Sequence, residues 1–83
     1  MRSRESILFE LIGRYGIDLS EDDILSIKEF MRVLKVPCKE DAIRNFLAAY
    51  LRLACGWKAS DADRIASSSK GRRLWEKKLA ELM

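Results

Sequence analysis

Histidine is absent from the 83 residues, and proline occurs once, at Pro37. Without an imidazole the chain lacks the side chain that most often moves protons near neutral pH, and no carboxylate, lysine or thiol stands in a nucleophile arrangement with a neighbouring base. The expectation is a non-enzymatic protein without a cofactor. Two cysteines, Cys38 and Cys55, cannot assemble a structural zinc site in a chain without histidine. They flank one predicted helix, and 17 residues at about 1.5 Å each place them about 25 Å apart, far outside disulfide reach. Both are read as packed thiols. Long apolar runs are missing as well. No stretch approaches the roughly 18 residues that span a bilayer, and the opening Met-Arg-Ser-Arg-Glu-Ser has no apolar core of a signal peptide. A soluble, cytoplasmic protein with no membrane association is expected.

What remains is a short chain rich in both apolar and charged residues, 48% and 35%, which suits one ordered globular domain over 1–83 and excludes a disordered tail. A chain of this length hides only about 60 to 65% of its unfolded surface, so all of its helices must share one core. Apolar periodicity predicts about five short helices in an all-α bundle. The first runs from after Ser3 to about Tyr15, with Ile7, Leu8, Leu11, Ile12 and Tyr15 on one face and Gly16 as a left-handed terminator. Ser20 and Asp23 form a variant of the capping box, with Leu19 and Ile24 placed as a hydrophobic staple. The helix they open carries Ile24, Ile27, Phe30, Met31 and Leu34 and should end near Val36, because the residue before Pro37 is pushed out of the α region.

Pro37 or Cys38 is expected to open a third, central helix, apolar on nearly every side, whose evident polar stripe is Arg44, Asn45, Ala48 and Arg52; Gly56 stops it. Ser60 and Asp63 repeat the capping pattern for a short fourth helix through about Ser67. Ser67, Ser68, Ser69 and Gly71 then read as a soft connection before a last helix presenting Leu74, Trp75, Leu79 and Leu82. The acids Asp18, Glu21, Asp22 and Asp23 lack the spacing and glycine of a calcium loop and suit a helix's first turn. Ser-Ser-Ser-Lys-Gly is not a phosphate-binding loop, since it lacks the preceding glycine.

The net charge of +3 is unevenly spread. Met1 to Glu40 holds seven basic and eight acidic residues, a net −1, whereas Asp41 to Met83 holds nine and five, a net +4. Such an asymmetry suits an end that faces a polyanion, although cationic helix faces are also ordinary solvated surface. The excess lies beside the one motif with geometry behind it. A helix ending at Gly56, a turn of Trp57, Lys58 and Ala59, and a second helix beginning at Ser60 match a helix-turn-helix, with Leu51, Cys55, Trp57, Ala62 and Ile65 at its buried offsets. The order Ala54-Cys55-Gly56-Trp57, then Ala62, then Arg64-Ile65-Ala66, resembles the DNA-binding segment of phage terminase small subunits over about the last 40 residues.

That resemblance implies a DNA-binding module, a regulator or a phage or mobile-element protein, built on the third and fourth helices. Lys58, Ser60 and Arg64 would face DNA, with Arg64 at a base edge or phosphate and Ser60 or its helix N-terminus at a phosphate. Lys70, Arg72 and Arg73, with Lys77 and Lys78, would add phosphate contacts that carry affinity without sequence preference. Asp61 and Asp63 oppose the phosphate field, and Arg52 stands where the family prefers a small residue, so its side chain must turn outward for the helices to cross closely. Trp75 is expected in the core rather than on DNA.

The same stop and start signals also suit a plain helical hairpin. A second reading from another class is a helical interaction module, an adaptor or inhibitor, working as a homodimer or with a protein partner. It rests on apolar residues such as Leu25, Val33, Leu74 and Leu82 that exceed what one small core can hold. A basic patch gathered around the fourth helix favours DNA, and a scattered one favours a protein partner.

Overall fold

The computed structural model describes residues 2–83. Five helices follow one another: α1 Arg4–Tyr15, α2 Glu21–Val33, α3 Glu40–Cys55, α4 Ala59–Ile65 and α5 Ser69–Ala80. No strand occurs among the described residues, and no helix is long and apolar enough to cross a membrane.

Most helix ends follow from one or two residues. Ser3 accepts from the Ser6 N–H at 3.1 Å and opens α1, and Ser20 accepts from the Asp23 N–H at 3.1 Å to open α2. Gly16 closes α1 at φ +61°, and the Ile17 N–H returns to the Ile12 carbonyl at 3.0 Å, so that Ile17 is buried as the chain turns away. The end of α2 uses the same hydrogen-bond pattern without a glycine. Lys35 takes φ +53°, its N–H reaching the Arg32 carbonyl at 3.3 Å while that of Val36 reaches Met31 at 3.0 Å. The helix therefore ends at Val33, earlier than the proline alone indicates. A lysine in this region costs roughly 1 kcal/mol, offset by the burial of Val36 at 2% exposure.

Three other boundaries differ from expectation. Helix α3 starts at Glu40 and not at Pro37 or Cys38, because the Lys39 N–H closes a tight turn onto the Pro37 carbonyl at 2.8 Å and leaves Lys39 extended. Helix α4 is preceded by Lys58, which makes no side-chain cap, and Ser60 lies inside its first turn. The serine run is no soft connection: Ser68 accepts from the Gly71 N–H at 3.0 Å and starts α5 at Ser69.

Helix α3 is the centre, with Ile43, Phe46, Leu47, Ala48, Ala49, Tyr50 and Leu51 all buried. Helix α5 packs along it more extensively than any other helix, followed by α4 and α1. Phe46 meets Trp75 edge to face at 5.8 Å between ring centroids, which places Trp75 in the core. Of the apolar residues expected on the last helix only Trp75 and Leu79 are buried; Leu74 faces outward because the α3 surface takes only one side of α5, and Leu82 lies exposed beyond the helix end. Leu25 and Val33 are also exposed. On α2, Asp23 accepts from the Tyr50 hydroxyl at 2.8 Å, and burial together with this carboxylate pushes the Tyr50 phenol up to about 12. Cys55 is half-buried and its thiol is pushed up by that burial, as a packed thiol should be, whereas Cys38 is exposed with Sγ 3.0 Å from the Arg2 carbonyl oxygen.

Candidate nucleic-acid interface

Of the polar stripe of α3 only Arg52 is exposed. Arg44 donates from Nε to the Ile65 carbonyl at 2.8 Å and from a terminal nitrogen to that of Ala66 at 3.1 Å, satisfying carbonyls that α4 leaves free at its end. One residue on, Asn45 is buried, and its Oδ1 accepts from the Ser67 N–H at 2.9 Å, the Ser68 N–H at 3.2 Å and the Ser67 hydroxyl at 3.2 Å. These two side chains hold the corner between α4 and α5. Gly71 is required beside them, because a Cβ there would lie 2.7 Å from Asn45 Cγ. Asn45→Ala leaves two backbone N–H groups without their acceptor, a cost of about 2 kcal/mol. Urea denaturation should show that loss, and hydrogen exchange should show faster opening at Ser67 and Ser68; unchanged protection there would remove Asn45 from this role.

Helix α4 buries Ala62 and Ile65 and exposes Ser60, Asp61 and Arg64. It joins α3 through the three residues Gly56, Trp57 and Lys58, and it joins α5 through Ala66, Ser67 and Ser68, so two helix, turn and helix units share it. Gly56, at φ +72°, makes the first turn possible, and the N–H groups of Gly56 and Trp57 both return to the Leu51 carbonyl. Arg52 reaches α5 instead of filling the contact between α3 and α4: its Nε lies 3.0 Å from Glu76.

Of the six side chains expected to face DNA, five are exposed: Lys58, Ser60, Arg64, Lys70 and Arg73. They fall into two groups. Lys58 and Arg64 border a cavity of about 660 Å³ together with Tyr15, Trp57, Asp61 and Ile65. Lys70 and Arg73 border a separate depression with Ser68, Gly71 and Leu74, and Lys77 continues the line one turn later. Arg72 is the exception. Its side chain is 5% exposed, with Nε 2.6 Å from Asp63 Oδ1 and a terminal nitrogen on Glu76. It is a core ion pair and not a phosphate contact, because its place on α5 points toward α3 and α4. The Arg72 guanidinium, with the Ser69 hydroxyl, holds the Asp63 carboxyl below its ordinary value.

This inward cluster changes the charge of the surface. Asp63 and Glu76 are occupied by Arg72 and Arg52, so that from α4 onward Asp61 and Glu81 are the acids without an ion pair among the described residues. Among the described residues, Lys58, Arg64, Lys70, Arg73, Lys77 and Lys78 have no carboxylate partner. Lys78 lies 4.8 Å over the Trp75 ring. Also among the described residues, no group of three His, Cys, Asp or Glu side chains is placed to hold a metal ion.

No protein-family model, curated protein or solved structure matches the chain. Its functional reading therefore rests on the geometry of this half. Sequence reasoning passed over Tyr15, which contributes to the cavity from α1; its helical spacing marked it only as an apolar-face residue. It likewise passed over Arg44 and Asn45 as the groups that hold α4 and α5 in place, because a polar residue on a helix wheel carries no sign of which backbone it will meet.

Proposed function

We propose that the protein is a non-enzymatic DNA-binding module that lays α4 and the exposed side of α5 against a duplex. The observation that carries this reading is the set of exposed cations around α4 and α5, six without carboxylate partners against two unpaired acids, after Asp63 and Glu76 have been drawn into the Arg72 cluster. Phosphate contacts need cations free of internal partners, since an ion pair within the protein must be broken before a phosphate can take its place. Arg64 and Lys58 beside the α3 to α4 turn, with Ser60, supply the contacts nearest the bases, and Lys70, Arg73 and Lys77 grip the backbone.

Fluorescence anisotropy of a labelled duplex, titrated at several salt concentrations, tests it. Affinity should fall steeply with salt, and Arg73→Ala with Lys77→Ala should reduce the slope of log K against log salt by about 2. Arg72→Met combined with Asp63→Asn, which removes the inward pair without freeing an acid, should leave the slope unchanged. No binding at low salt would overturn the proposal. The second reading, a module that pairs with a protein or with its own copy, draws on Phe9, Leu25 and Val33, which are 48%, 62% and 46% exposed. Sedimentation at rising concentration separates it, because a dimer through these residues is dispersed by Leu25→Lys without a change in the salt slope.

A further inference from the structure

The cavity beside the α3 to α4 turn has a lining that backbone gripping does not use. Tyr15 from α1 and Trp57 from the turn, both half-buried, border it with the buried Ile65, and the rim carries Lys58, Asp61 and Arg64. Arg44 stands 5.9 Å from the centre of the Tyr15 ring and is itself tied to the Ile65 and Ala66 carbonyls, so the ring is supported from one side. Trp57 is fixed through its backbone N–H on Leu51 at 3.1 Å. None of the three rim charges has an ion-pair partner among the described residues. A volume of about 660 Å³ lies within the range of sites for small organic ligands.

Each part of the lining selects for a different part of a ligand. Aromatic walls favour a planar ring, two cations favour an anionic group, and a lone carboxylate accepts from an amine or ring N–H edge. A simple phosphate meets only the cations, and an apolar ligand meets only the aromatic walls. One chemical unit combines a flat ring with N–H donors and a phosphate a sugar's width away.

We infer that this cavity binds a single unstacked nucleotide, its base against Trp57 and Tyr15, its phosphate on Lys58 and Arg64, and its N–H edge on Asp61. The nucleotide comes either free or as one residue of a single strand. The inference does not depend on duplex binding through α5, and the two can fail separately.

The test is a titration of the ¹⁵N-labelled full chain, following the two tryptophan indole N–H signals, with that of Trp57 identified by its loss in Trp57→Phe. The probes are deoxyadenosine monophosphate, a short single-stranded oligodeoxynucleotide and inorganic phosphate. A saturable shift of the Trp57 signal with the mononucleotide supports the inference with a free nucleotide as the source. A shift with the oligonucleotide alone supports it with a strand as the source. In either case Lys58→Gln with Arg64→Gln should weaken binding at least about tenfold, Asp61→Asn should alter the order of preference among the four bases, and the Trp75 signal should stay in place. Lys58, Asp61 and Arg64 are all exposed, so folding is retained in these variants, as far-ultraviolet circular dichroism will verify. No Trp57 shift with either nucleotide probe at millimolar concentration overturns the inference, as does an equal shift with inorganic phosphate. The α5 contacts are read separately, by the change in salt slope of duplex anisotropy in Arg73→Ala with Lys77→Ala, which leaves the cavity lining intact.

Discussion

Replacing Phe46 with alanine should remove about half of the folding stability of the protein. The side chain is fully buried in the middle of α3, and the Trp75 ring meets it edge on. Removing it forfeits the transfer of a large aromatic from water and opens a space that the surrounding helices fill only in part, a cost of about 3–5 kcal/mol. A domain of this length has roughly 5–10 kcal/mol in total. Because α5 is held to the rest chiefly by its packing along α3, the loss falls on the element that carries Lys70, Arg73 and Lys77. Urea denaturation followed by circular dichroism measures it, with Phe46→Leu expected to lose far less because most of the volume is kept. A cost below about 1 kcal/mol for Phe46→Ala would mean that the packing of α5 on α3 is not as described.

The second large effect concerns Arg72. Asp63→Asn combined with Glu76→Gln leaves its guanidinium, 5% exposed, without any carboxylate, and a buried charge stranded in this way costs about 3–5 kcal/mol. Adding Arg72→Met to the same chain should recover most of that loss, since the charge is gone and a side chain of similar length still fills the space. Failure of the triple variant to recover would show that the carboxylates stabilise α4 and α5 by some route other than pairing. Acid performs part of the same experiment. The Asp63 carboxyl is held below its ordinary value in the folded chain, chiefly by its hydrogen bond from Arg72. Its contribution is therefore fully present above the unfolded carboxylate range of about 4 and is lost as pH falls through the lower folded value. Thermal midpoints measured from neutral pH down to about 2.5 should show a steeper acid decline for the native chain than for Asp63→Asn.

The two predictions meet in the charge of the surface. The sequence between Lys58 and Lys78 holds seven cations and three acids, and counted along the chain those acids moderate the positive field. Folding rearranges the account: Arg72, together with Arg52 from α3, takes Asp63 and Glu76, and Asp61 is left as the only unpaired acid of that stretch among the described residues. The outer face is thus more cationic than the composition of the segment. This sorting, more than the net charge, is what the DNA-binding proposal rests on.

Much of the architecture was legible because its signals are local. Ser3 and Ser20 reach backbone N–H groups three residues on, and Gly16 and Gly56 adopt the left-handed conformation that ends their helices; all of this is decided within one turn of chain. The crowding of apolar residues around the third helix likewise marked it as the centre, since no other arrangement could bury them. The errors lie where a residue's role is set by a distant neighbour. Ser60 reads as a cap and Ser68 as part of a soft connection, yet it is Ser68 that caps a helix, while Lys58 has the extended backbone that begins α4. Arg44 and Asn45 read only as part of a polar stripe, and they hold backbone groups more than 20 residues away.

By itself, then, the sequence determined that the chain is all-α, where the first helix begins and ends, where the second begins and the third ends, and which helix is central, because capping, glycine and apolar period act over a few residues. The tertiary structure alone decided which cations face outward, that Arg72 turns in while Arg73 beside it does not, and that Tyr15 and Trp57 border one cavity. Those outcomes depend on how α5 and α4 dock on α3, and a helix specifies the spacing of its side chains but not the direction in which any one of them will find its partner.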